Sequence, residues 1–131
     1  MMDPCVQLLI EHAVDSPTKL HLLLIFHENP RLEATPTQIA ERSCRDIWSI
    51  TQALDELAED GILACNITRG SDQPLYSYLP RHDYLEPIRK LICGYDDPLE
   101  RDMLHRSIRD RAGYASFRRA SGGDYWTAVA Y

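Results

Sequence analysis

Between Thr37 and Gln52 the chain gathers side chains suited to hydrogen bonding with planar polar edges and anionic oxygens. The amide of Gln52 can donate and accept side by side, the geometry that pairs with adenine, and the Ser49 hydroxyl can do either. Arg42 and Arg45 carry guanidinium forks that match phosphate oxygens, and Lys19 and Arg69 offer two further cations. Trp48 has two readings, an exposed contact residue or a partly buried packing residue, and Gln52 is either a reader or a solvated helix position. Catalysis has no comparable grouping. The chain contains no Gly-rich phosphate loop, no nucleophile elbow, no metalloprotease helix motif and no pair of carboxylates set apart by spacing. The expectation is a protein that binds rather than catalyses and that needs no cofactor.

Metal and redox chemistry are equally poorly supplied. Cys5, Cys44, Cys65 and Cys93 stand far apart with no C-x-x-C pair, which argues against a disulfide framework and a structural zinc site and leaves buried or idle thiols. His12, His21, His27, His82 and His105 are scattered, and each reads as structural or exposed. A site built from His21, His27 or His105 with a carboxylate has no supporting ligand spacing, so no metal is expected.

The elements that must position these residues are marked by helix starts, where a capping residue is followed by proline at the first helical position. Asp3-Pro4 opens a helix to Ala13, and Ser16-Pro17 opens one to His27 that Asn29-Pro30 closes. Thr35-Pro36-Thr37-Gln38 opens a third with a capping box, and Asp97-Pro98-Leu99-Glu100 opens the last with the same box. From Asp46 to Asp60, Ile47, Ile50, Leu54 and Leu57 fall on one helical stripe that Gly61 ends, with Asp46 as N-cap. Ile62 to Thr68 and Leu75 to Leu79 read as two strands around a polar tip that holds Arg69 and Ser71. Leu85, Ile88, Leu91 and Ile92 line a helix from Asp83 to Gly94. Leu99, Met103, Leu104, Ile108 and Ala112 line the last, from Pro98 to Ala112 or on to Ala120.

The fold class expected is mainly α with a small β-hairpin. The run Thr37-Gln38-Ile39-Ala40, then Ile50, Leu54, Leu57, Gly61 and Ile62, resembles the ArsR-like and MarR-like bacterial repressors. Asp15-Ser16-Pro17-Thr18-Lys19-Leu20 and Leu75-Tyr76-Ser77-Tyr78-Leu79 resemble the opening and the second wing strand of the ArsR-like group. Ser43 and Arg45 depart from that pattern, standing where those families carry apolar turn residues, with Ile47 available to fill the space. Thr37 to Arg42 contains no Cys or His, so the metal motif of many ArsR-like sensors is absent.

The resemblance implies a winged helix-turn-helix with N- and C-terminal dimerisation helices, acting as a cytoplasmic transcriptional regulator that binds double-stranded DNA as a homodimer. It divides the chain into an N-terminal helix (1–15), the winged domain (16–80), a C-terminal dimerisation extension (81–120) and a flexible tail (121–131). The helix from Asp46 would lie in the major groove with Trp48, Ser49 and Gln52 outward. Arg42, Arg45, Lys19, Arg69 and Ser71 would meet phosphate, and Thr37 or Gln38 would donate from the short helix's N-terminus. The terminal helices carry apolar stripes that a small domain covers poorly alone, which favours a dimer.

Charge opposes this reading. The 131 residues carry a formal charge of −6, and residues 1–80 hold five basic against twelve acidic side chains. Asp55, Glu56 and Glu59 continue the outward face and would repel phosphate, so only the first two turns could approach DNA. The alternative is a winged helix that has become a protein-interaction module. Arg101, Arg106, Arg109 and Arg111, later Arg118 and Arg119, are a solvated face paired with Glu100, Asp102 and Asp110 or a second source of phosphate contacts. No apolar run approaches the roughly 20 residues of a membrane span.

Overall fold

Helix geometry leaves the first N–H groups of every helix unpaired, and short polar side chains, Asp3, Ser16, Thr35, Asp46 and Asp97, meet them at five starts. The computed structural model describes residues 3–67, 70 and 72–111. Asp3 accepts from the Cys5 N–H (2.8 Å) and opens α1, Pro4–His12. Ser16 accepts from Lys19 (3.2 Å) and opens α2, Pro17–Glu28. The strand β1, Glu33–Ala34, leads into α3, Pro36–Ser43, where Thr35 and Gln38 cap each other's backbone at 3.3 and 3.0 Å. Asp46 accepts from Ser49 (2.8 Å) and opens α4, Ile47–Asp60. The chain continues through β2, Leu63–Asn66, β3, Leu75–Tyr78, α5, His82–Tyr95, and a helix over residues 98–111, here α6. Residues 112–120, expected to prolong that helix, and the tail 121–131 lie outside the described residues. Among the described residues no helix is long and apolar enough to cross a membrane.

The protein is mainly helical with a three-stranded antiparallel sheet in the order β1-β3-β2, one strand more than the expected hairpin. Glu33 and Ala34 pair with Ser77 and Tyr76, so the chain between α2 and α3 closes the outer edge of β3. Gly61 adopts a left-handed conformation (φ 94°), which lets the Ile62 N–H return to the Leu57 carbonyl at 2.9 Å and aims the chain into β2.

One core holds the layers together. Ile39, Ile50, Leu54, Leu57 and Ile62 share it with Leu22, Leu23 and Phe26 of α2 and Tyr76 of β3. The same cluster takes in Val6, Leu9 and Ile10 of α1, Ile88 and Leu91 of α5, and Leu104 and Ile108 of α6. Within the chain itself α1 buries Val6, Leu9 and Ile10 and packs on α5, while α6 buries Leu104 and Ile108. Leu85 and Leu99, members of the expected apolar stripes, are 49% and 76% exposed, because α5 and α6 turn Ile88, Leu91, Leu104 and Ile108 inward. Of the two readings of the thiols, buried or idle, burial does not hold. Cys44, Cys65 and Cys93 are exposed, and Cys44 sits at the left-handed end of α3 (φ 57°).

Candidate nucleic-acid interface

α4 has its inner face fixed by Ile50, Ala53, Leu54 and Leu57, so the residues between them must face outward. Trp48 is 82% exposed, which settles its two readings in favour of a surface residue. Ser49 and Gln52 are exposed beside it. The backbone N–H of Ser49 donates to Asp46, and this bond holds the Asp46 carboxyl below its usual pKa. Asp46 is thus an N-cap, with its charge directed at the helix start.

The outward face is not the free row of carboxylates that the sequence suggests. Lys19 is 3% exposed, and its ammonium meets Asp15 at 2.6 Å and Glu56 at 2.5 Å. Lys19 is therefore not a surface phosphate partner: α2 packs that residue against α4, and burial of an ammonium requires such acidic partners. Glu56, counted among the repelling acids, is engaged by this buried cation, and it also accepts from the Gln52 amide at 3.2 Å. Asp55 accepts the phenolic O–H of Tyr76, a buried side chain of β3. Burial, with the nearby Asp55 carboxylate, pushes the Tyr76 phenol far above its usual pKa, so it stays a donor. Glu59 remains exposed further along the helix.

The other nominated residues divide by how they are held. Thr37 and Gln38 are exposed, but their backbone N–H groups are already engaged. That of Thr37 donates to the Gln73 side-chain oxygen (3.4 Å), and that of Gln38 donates to Thr35 (3.3 Å). Gln73 also donates to the Thr37 hydroxyl (2.8 Å), stitching the segment before β3 to the start of α3. Sequence reading missed this residue, since a glutamine in a polar tip carries no periodic signal. Arg42 is exposed in the last turn of α3. Arg45 is exposed too, but it folds back on α2, with Nε 3.4 Å from His21 Nδ1 and Nη1 3.2 Å from Thr18 Oγ1. Thr37, Glu41, Arg45 and Ile47 line an open depression between α3 and α4, with Ile47 36% exposed. Arg69 and Ser71 lie outside the described residues.

The arginines of α6 are largely engaged. Arg106 pairs with Asp102, and Arg111 crosses to Glu11 of α1 at 2.8 Å. Arg101 lies over the Tyr95 ring, 5.7 Å from its centroid. Arg118 and Arg119 lie outside the described residues. Among the described residues no three His, Cys, Asp or Glu side chains gather as a metal-binding group.

The arrangement presents an exposed indole, a hydroxyl and an amide on the first two turns of a helix that is anchored from behind. Comparison with protein-family models gives no match, and no curated protein or solved structure matches the chain.

Proposed function

We propose that the protein is a winged helix-turn-helix transcriptional regulator that binds duplex DNA as a homodimer, with α4 as the helix that enters the major groove. The observation that carries this reading is the outward position of Trp48, Ser49 and Gln52 on α4, while Ile50, Leu54 and Leu57 hold the opposite face in the core. α3 packs across α4, and β2 and β3 follow it, the order a wing requires. Lys19 offsets one of the two charges of Asp15 and Glu56, while Asp55, bonded to a neutral phenol, keeps its charge, so in this reading only the first two turns of α4 approach DNA. Residues 16–80 form the winged domain in this reading, and exposed Leu8 and Leu99 on the terminal helices offer apolar surface for a second copy. A two-fold protein of this kind reads half-sites about 34–36 Å apart. The reading implies a cytoplasmic protein without catalytic activity.

A second reading, an interaction module without DNA binding, is favoured by one observation: exposed Trp48 next to Ile47 in a chain of charge −6. Polarisation titration of the full chain against labelled random duplex at about 50 and 200 mM salt separates the two. Binding that weakens steeply with salt and is lost in Arg69→Ala/Gln52→Ala is the expected result. Absence of binding at the lower salt, with dimerisation retained, overturns the regulator in favour of the module.

A further inference from the structure

Between α2, the turn before α4 and the C-terminal helices lies a cavity of about 320 Å³, within the range of small-molecule sites. Its floor is apolar, formed by Leu20, Leu24 and Ile108, and its walls include Arg45 and Arg109. Among the described residues no carboxylate lines it, although the chain carries 20 acidic against 14 basic residues. An apolar floor beside two guanidinium groups and no acid matches a ligand with an apolar body and a negative end.

The polar walls are partly oriented in advance. Arg45 spends one N–H on His21 and one on Thr18, at 3.4 and 3.2 Å, and a guanidinium has five. On the other side the Tyr95 hydroxyl lies 3.0 Å from His105 Nε2, with the two rings edge-on at 5.5 Å. Burial, and then the charge of Arg45, hold the His21 imidazole below its usual pKa, which favours its neutral form beside Arg45.

We propose that this cavity binds a small organic carboxylate, its apolar body on Leu20, Leu24 and Ile108 and its carboxylate facing Arg45 and Arg109. Arg45 immediately precedes Asp46, the N-cap of α4, so the bound anion contacts the chain where α4 begins. An assay of this binding contains no DNA and is independent of the reading above.

The test is calorimetric titration of the full chain with phenylacetate and hexanoate, beside phenylacetamide and inorganic phosphate. The expected result is saturable binding of both carboxylates, with the neutral amide and the body-less phosphate each about tenfold weaker or worse. Arg109→Ala, an exposed position, weakens phenylacetate about tenfold, and Arg45→Ala does the same. Amide resonances of Ile47 and Trp48 shift on titration of the parent chain. No saturable carboxylate binding overturns the proposal. Equal binding of amide and carboxylate, or undiminished binding by Arg109→Ala and Arg45→Ala with unchanged melting, overturns it as well.

Discussion

Lys19 Nζ and Glu56 Oε1 meet at 2.5 Å, joining a buried residue in the first turn of α2 to a half-buried one on α4. Asp15 completes the cluster at 2.6 Å, with Lys19 and Asp15 only 3% and 1% exposed. An isolated buried ammonium would lose its charge, and two facing carboxylates would repel, so each member depends on the others. Lys19→Met removes the cation and leaves the acids without it. A destabilisation of about 3 kcal/mol is expected in urea unfolding, against less than about 0.5 kcal/mol for exposed Arg42→Ala. A change in Lys19→Met as small as in the control would show that the cluster adds nothing to packing.

Gln52 is bound to the same cluster through Glu56 at 3.2 Å, and this sets the direction of its amide on an otherwise solvated face. If that amide reads adenine, Gln52→Ala weakens binding to the preferred duplex by about 1–3 kcal/mol and relaxes preference at one base position. Stability should change little, since Gln52 is exposed. Selection of binding sites from a random pool, for the parent and the variant, checks this. Identical selected sequences would remove Gln52 from the reading surface.

Helix starts were legible because capping residue and proline recur together: Asp3-Pro4, Ser16-Pro17 and Thr35-Pro36 begin helices as expected. Of the stripe Ile47, Ile50, Leu54 and Leu57, the last three enter the core and fix which side of α4 faces out, and Ser49 and Gln52 follow from them, whereas Ile47, at the first turn where the core ends, is 36% exposed. β1 was not legible, since two residues between Pro30 and Pro36 carry no period and gain strand geometry only by pairing with Ser77 and Tyr76. Nor was the burial of Lys19: its i,i+4 relation to Asp15 looks like a surface pair until α4 brings Glu56 against it. Length alone left the terminal helices short of cover, whereas Val6, Leu9, Leu104 and Ile108 enter the shared core. Those outcomes depend on contacts between distant segments, which local pattern does not encode.

His21 should respond to acid in a definite direction. Burial first, and the charge of Arg45 second, hold its pKa below the usual 6.5, while Arg109 and His105 line the same cavity. The unfolded chain then takes up the proton first, so the His21 contribution to stability is complete above about pH 6.5 and declines as pH falls through the lower folded value. Imidazole resonances followed by NMR should place the His21 midpoint below 6.5 and move it upward in Arg45→Ala. His21→Gln should flatten this part of the acid limb in denaturation. A His21 midpoint at or above 6.5 would contradict the environment described for the cavity wall.

The join between α4 and the sheet rests on Gly61, where φ is 94° and the Ile62 N–H bonds the Leu57 carbonyl at 2.9 Å. A Cβ placed there would lie 2.1 Å from Cδ of Arg81. That long side chain is exposed and can swing away, so the lasting cost of Gly61→Ala is the left-handed backbone itself, about 1 kcal/mol. Asparagine tolerates this conformation better than alanine, and Gly61→Asn should be the milder change. Thermal or urea unfolding of the two variants gives the order. If alanine proved as stable as glycine, the chain could leave α4 by a right-handed turn, and the path from α4 into β2 would not depend on position 61.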